Sequence, residues 1–166
     1  MNSAQLINQD SGNFEYYTPT EIVEMARQVM GVITLDPFSS VEANKRVKAS
    51  TFMDIYDDGL SKPWHGNVWM NHPFSRMMNK ACVEKLVGEY QSGNIKAACC
   101  ITFAATSEAW FRPLLAYPQC FIHGRTNYYL SNGEKKTGVT KGSVVTYLGA
   151  DIDQFRQIFS AIGTVK

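Results

Sequence analysis

Apolar positions follow two rhythms along this chain. Thr20 to Met30 (TEIVEMARQVM) sets Ile22, Val23, Ala26, Val29 and Met30 at helical spacing. Thr18 is expected to cap that helix, with Pro19 at its first position, Glu21 three residues after the cap and Gly31 ending it. Met77 to Tyr90 reads as a second helix, with Ala81, Val83, Leu86, Val87 and Tyr90 on its apolar side. Ser107 to Leu115 predicts a short helix capped by Ser107, and Asp151 to Ile162 a closing helix capped by Asp151. The other rhythm is the short, unbroken apolar run. Val32–Leu35, Asn67–Met70, Ile95–Ala104, Gln119–His123 and Val144–Leu148 read as strands. Val41 to Ser50 is polar and reads as loop or short helix.

Strands alternate with helices, and the strand runs are continuous rather than alternating. That pattern predicts an α/β fold with a mostly parallel sheet and helices on both faces. About 20 residues rich in Gly, Lys and Asn join the last two strands, which suits an antiparallel hairpin with a protruding loop.

Composition narrows the class. With 166 residues, 45% hydrophobic and 19% charged, the chain suits one folded domain over 14–166 after a polar lead-in over 1–13. A net charge of +1 excludes a strongly basic coat, so any nucleic-acid contact must come from a local patch. No apolar run reaches the roughly 18–20 residues that cross a bilayer, and residues 1–13 do not read as a signal peptide. No membrane association is expected, and a cytoplasmic location is. Cys82, Cys99, Cys100 and Cys120 form no Cys-x-x-Cys pair and read as buried thiols. His65, His72 and His123 lack ligand spacing, so no metal site is expected.

In an open α/β sheet, ligands bind beyond the carboxyl ends of the strands. Two such ends carry unusual polar residues: Leu35-Asp36-Pro37-Phe38-Ser39-Ser40, and Trp69-Met70-Asn71-His72-Pro73-Phe74-Ser75-Arg76. Gly-x-Gly-x-x-Gly, a phosphate loop and Gly-x-Ser-x-Gly are all missing from the sequence. This speaks against a dinucleotide enzyme, a nucleoside triphosphatase and a serine hydrolase.

Read in order, several segments resemble one family. They are Glu15-Tyr16-Tyr17-Thr18-Pro19, Leu35-Asp36-Pro37-Phe38-Ser39-Ser40, Asp58-Gly59-Leu60 with Trp64, Asn71-His72-Pro73-Phe74-Ser75, Trp110-Phe111, Gly124-Arg125 and Gly142-Ser143-Val144-Val145. The set resembles the phage-encoded DNA N6-adenine methyltransferases (Dam-like), over residues 14–148. The resemblance implies a Rossmann-like, S-adenosylmethionine-dependent methyltransferase fold. It also suggests protection of viral DNA from restriction in a bacterial host cytoplasm. One departure stands out. The family carries Asn/Asp-Pro-Pro-Tyr/Phe after this strand, and here His72 replaces the first proline.

The chemistry behind that signature can be stated physically. An exocyclic amine is conjugated into its base, and two acceptors aimed at its N–H groups draw the nitrogen toward tetrahedral geometry. Asn71 would supply one through its side-chain oxygen, and His72 the other through its backbone carbonyl. Phe74 would stack on a flipped base and Pro73 would stiffen the loop. Alignment of nitrogen, methyl and sulfur then carries much of the acceleration. For the cofactor, the resemblance implies Tyr17, Thr18 and Pro19 at the methionine end, Tyr16 also in the cofactor site, and Asp36 near its ammonium. Pro37, Phe38 and Ser39 would line its wall, Asp58 and Leu60 would flank its adenine, and Asp54 or Asp57 would reach the ribose. From the residues alone, Asp36 and Asp58 also suit turns, and Tyr16 and Tyr17 also suit a core.

DNA contact would come from the loop at about 125–141, where Arg125, Lys135, Lys136 and Lys141 interleave with Tyr128 and Tyr129. Ser75, Arg76 and Lys80 would add contacts beside the signature. One short recognition loop implies low or short sequence specificity, or help from a second subunit, as in a homodimer. His72 keeps two alternatives open. The chain would act on another exocyclic amine, such as cytosine N4 or that of a modified nucleotide, or it would be an inactive DNA- or protein-binding relative.

Overall fold

The computed structural model describes residues 16–166, so the lead-in over 1–13 and Glu15 lie outside the described residues. In chain order the elements are α1 (Thr20–Met30), β1 (Leu35–Asp36), α2 (Val41–Val47), β2 (Thr51–Phe52), β3 (Gly66–Met70) and α3 (Arg76–Gln91). Then come β4 (Ile95–Phe103), a 3-10 turn (Arg112–Ala116), β5 (Gln119–Ile122), β6 (Ser143–Leu148), α4 (Ile152–Phe159) and β7 (Gly163–Val165).

The seven strands form one sheet in the order β2-β1-β3-β4-β6-β5-β7. Pairing is parallel from β2 through β4 and antiparallel beyond it. The central strands show why the apolar runs are unbroken. Val68 and Met70 of β3, with Ala98 and Cys100 of β4, pack on the face covered by Met78, Cys82, Val83 and Leu86 of α3. Trp69, Cys99 and Ile101 point the other way, toward Ile22, Val23, Ala26 and Val29 of α1 and Phe155 and Phe159 of α4. Each large side chain buried this way contributes about 1.5–3 kcal/mol. A strand with helices on both faces therefore has no polar side to show in its sequence.

Several expectations change at the edges. The polar stretch after Ser40 is a helix, because the Ser40 hydroxyl accepts the Ala43 N–H at 3.0 Å. The two-residue β2 and the final β7 carried too little pattern to be read as strands. Pro19 rather than Thr18 precedes α1, and no side chain caps that helix. Asp151 likewise makes no capping bond; its N–H donates to the Tyr147 hydroxyl at 3.0 Å. The segment after Ser107 is a run of turns leading into the 3-10 turn rather than a helix. The long connection between β5 and β6 does not simply protrude. Tyr17 and Tyr129 exchange backbone hydrogen bonds of 2.7 and 2.9 Å, which fasten this loop to the segment before α1.

Position in the sheet defines the site. From β1 the chain runs through α2 to β2 on one side, then returns past β1 to β3 on the other. The carboxyl ends of β1 and β3 thus flank a topological switch point, where an open sheet parts to admit a ligand. The amide of Asn67 ties β3 to the turn between α1 and β1, donating at 3.1 Å to both the Met30 and Val32 carbonyls.

Candidate active site

A cavity opens at that switch point. Asp36 to Ser40 wall it from the end of β1, and Asn71 to Ser75 from the end of β3. Tyr16, Tyr17 and Thr18 close it from the segment before α1, and Asp54, Ile55 and Gly59 from the loop after β2. The approach of this last loop depends on a glycine. A Cβ on Gly59 would lie 2.2 Å from the Pro37 carbonyl oxygen, so only a residue without one fits. The Gly59 carbonyl is held in turn by the Trp64 indole N–H at 2.8 Å.

Asp36 is 2% exposed, and one carboxylate oxygen accepts the Phe38 N–H at 3.2 Å. Burial raises its pKa to about 7, with the bonds from Phe38 and Ser39 offsetting part of that rise. Among the described residues it forms no ion pair. Thr18 is also buried and lines the cavity, and its hydroxyl meets no partner among the described residues. A buried carboxylate without a cation and a buried hydroxyl without a partner both await a polar ligand. The ammonium of an amino-acid-like group and its neighbouring polar atoms would satisfy them, so the residues present fit the methionine end of S-adenosylmethionine.

Asn71 stands at the tip of β3. Its side-chain N–H donates to the Tyr16 carbonyl at 2.8 Å, which leaves Oδ1 as the atom able to accept from an incoming amine. His72 is 2% exposed, and its Nε2 lies 2.7 Å from Oδ1 of Asn79 on α3. Burial lowers the His72 pKa to about 4, although the Asn79 bond works in the opposite direction, so the imidazole is neutral at neutral pH. Phe74 sits edge-on to His72 at 5.6 Å and packs on Phe103 at 4.8 Å and Tyr128 at 5.8 Å. It borders a second hollow too, which includes Arg76, Asn79, Phe103, Trp110 and Lys141.

The structure redistributes several expected residues. Asn71, His72, Pro73, Phe74, Tyr16, Tyr17, Thr18, Asp36, Pro37, Phe38 and Ser39 meet at the one cavity. Pro19, Asp58 and Leu60 lie outside its lining. Asp58 adopts a left-handed turn conformation (φ 54°) and accepts the Ser61 N–H, and Leu60 packs against the α3-side core. Of the two residues expected near the ribose, Asp54 lines the cavity and Asp57 does not, and Ile55 and Gly59 complete that side. Ser75 caps α3, accepting the Met78 N–H at 3.3 Å.

Tyr128 needs correction. It is 2% exposed, and its hydroxyl is 2.8 Å from that of Ser143, so it belongs to the core rather than to a stacking surface. The more open aromatic of that loop is Tyr129, whose ring lies 4.2 Å from the Arg46 guanidinium and 5.7 Å from the Lys135 ammonium. Lys136 lies 5.6 Å from the Tyr16 ring and Lys141 5.4 Å from that of Phe103. Arg76, Lys80 and Arg125 are exposed. Sequence reasoning missed Arg46, Asn79 and Gly59. Arg46 became visible only once α2 was a helix, and Gly59 read as half of an Asp-Gly turn. Asn79 follows His72 by seven residues, with a loop and a helix start between them.

No helix among the described residues is long and apolar enough to cross a membrane. A comparison with curated proteins gives no match. A family model does match, that of the DNA N-6-adenine-methyltransferases (Dam), over residues 8–164. The mixed seven-stranded sheet with its switch-point cavity is consistent with a methyltransferase fold that uses S-adenosylmethionine. The chain belongs to the DNA N-6-adenine-methyltransferase (Dam) family.

Proposed function

We propose that this chain transfers a methyl group from S-adenosylmethionine to the N6 amine of adenine in DNA. The observation that carries this reading is the fixed carboxamide of Asn71, whose N–H is held by the Tyr16 carbonyl so that its oxygen remains for the target amine. Bound in the cavity, S-adenosylmethionine supplies a methyl group on a positively charged sulfur, which is electrophilic without help from an acid. Asp36 and Thr18 would hold the amino-acid end, and Asp54 would serve the ribose. Asn71 Oδ1 and the His72 carbonyl would accept the two amine N–H groups, directing the nitrogen lone pair at the methyl. No strong base is required, and holding the reacting atoms in line supplies much of the rate.

The target must leave its stack, because the amine is out of reach inside a duplex. Phe74, half-buried and braced by Phe103 and Tyr128, offers the flipped base a ring to lie against. Lys135, Lys136, Lys141, Arg125, Arg76 and Lys80 would meet phosphates. With a net charge of only +1, DNA binding is expected to be weak and salt-sensitive.

Mass spectrometry of nucleosides from cells expressing the chain tests the reading. N6-methyladenine should rise above a vector control and should not rise with Asn71→Ala. A rise in N4-methylcytosine alone would move the reaction to another amine. No methylated base, with no binding of S-adenosylmethionine in calorimetry, would leave a non-enzymatic relative.

A further inference from the structure

We propose that His72 is a positioning residue, clamped by Asn79, that holds the Asn71–Phe74 loop at its working height in place of the rigidity a proline would give. The proposal deepens the reading above and rests on it. His72 lines the first cavity, Asn79 borders the second, and Phe74 borders both. The 2.7 Å bond between the two side chains therefore crosses the wall between the cavities.

The bond also fixes a tautomer. A carboxamide oxygen only accepts, so Nε2 carries the proton and Nδ1 is left as a bare acceptor. Among the described residues Nδ1 meets no donor. A buried acceptor left unmet carries a desolvation cost, so the ring's own hydrogen bonding does not account for its place.

Both neighbours depend on where this ring stands. Asn71 is the adjacent residue, and the Phe74 ring meets the imidazole edge-on with planes 87° apart. Asn79 is anchored independently, because its backbone N–H donates to the Ser75 carbonyl at 2.8 Å in the first turn of α3. Helix, imidazole and phenyl ring thus form one chain of contacts that sets both the acceptor and the wall of the base site. A shift of about 1 Å at such a site can lower a rate about 100-fold.

The experiment compares Asn79→Leu, Asn79→Asp and His72→Leu in the full chain. Asn79→Leu and His72→Leu should each lower kcat roughly 10–100-fold, with affinity for S-adenosylmethionine held within about twofold, and the double variant should be no worse than either alone. Asn79→Asp, which keeps an acceptor, should restore most of kcat. Additive losses, a loss confined to KM, or no rescue by Asn79→Asp would overturn the proposal. Should His72→Leu fail to fold, the half-buried Asn79 pair still decides. Nitrogen NMR of the imidazole gives a readout that needs no activity. The expected result is a neutral ring protonated on Nε2 in the parent, with Phe74 ring signals that move in Asn79→Leu. A ring protonated on Nδ1, or unmoved Phe74 signals, would refute the clamp even if the chain proved inactive. A correct tautomer and moving signals in a chain that methylates nothing would instead count against the catalytic reading alone.

Discussion

The tips of β1 and β3 stand side by side at one cavity, and each presents a buried titratable side chain. Burial pushes the two in opposite directions: Asp36 rises to about 7, and His72 falls to about 4. The physical cause is the same, since a buried site disfavours charge on either group. Their partners differ. His72 has its hydrogen-bond acceptor inside the protein and stays neutral. Asp36 has backbone and hydroxyl donors but no cation among the described residues. One tip is internally complete on its Nε2 side and suited to hold a loop still. The other is charge-incomplete and suited to receive a cationic ligand.

The largest effect should fall on the β3 tip. Asn71→Ala is expected to lower the rate of transfer by about 10²–10³-fold, the usual loss when a hydrogen-bonding group aimed at the reacting atoms is removed. Affinity for S-adenosylmethionine should change only slightly, through loss of the bond to the Tyr16 carbonyl. Single-turnover rates and calorimetry on the same variant separate the two quantities. Equal losses in both would mean that Asn71 serves the cofactor rather than the amine.

Asp36→Asn should show the reverse division. Removing a charge-assisted bond is expected to weaken S-adenosylmethionine binding roughly 10–100-fold while leaving the saturated rate nearly intact. Calorimetric titration checks the first and transfer at saturating cofactor the second. Unchanged affinity would remove Asp36 from the cofactor site.

The same carboxylate should make binding depend on pH. Its ordinary value is 3.8 and its folded value about 7, so the unliganded protein holds the proton until near neutrality. The ligand's ammonium needs the charged form, hence binding expels that proton. Affinity should rise about tenfold per pH unit up to about pH 7 and level off above it, with proton release measurable in buffers of different ionisation enthalpy. Asp36→Asn should flatten the rise. His72 contributes nothing in that window, because its pKa near 4 lies below it.

How much of this was legible in the sequence differs between the two tips. Asp36 and Asn71 each follow an apolar run at a strand end, and that local pattern suffices to place them at the ligand-binding edge of an α/β sheet. Strands β3 to β6 were readable because burial on both faces leaves uninterrupted apolar runs, whereas of the strand expected over Val32–Leu35 only Leu35 pairs, in the two-residue β1, and Val32 is exposed. What pattern could not show was anything made by chain segments meeting in space. The bond from His72 to Asn79, the tie between Tyr17 and Tyr129, and the burial of Tyr128 against Ser143 all depend on tertiary approach. The loop at 125–141 looked open because its composition is polar, yet its backbone is fastened to the segment that closes the cavity. The short β2 and β7 exist only through pairing with a neighbour, so no local periodicity marks them.

The smallest effect concerns the lysines of that loop. Lys135 and Lys136 approach the rings of Tyr129 and Tyr16, so their charge sits beside the segment that walls the cavity. If they meet phosphate, replacing both with alanine should weaken DNA binding only a few-fold at moderate salt. It should also make the slope of log affinity against log salt shallower by roughly two, about one per lost phosphate contact. Lys96, exposed at the amino end of β4 and far along the strand from the site, provides the control and should leave the slope alone. Affinity for S-adenosylmethionine is the sharper measurement, because the Lys136 ammonium lies over the ring of the residue whose carbonyl orients Asn71. If these lysines serve only DNA, that affinity stays fixed while the salt slope falls. If both quantities move together, the loop is part of the wall that holds the cofactor, and the division of labour between the two strand tips extends no further than Asp36 and Asn71 themselves.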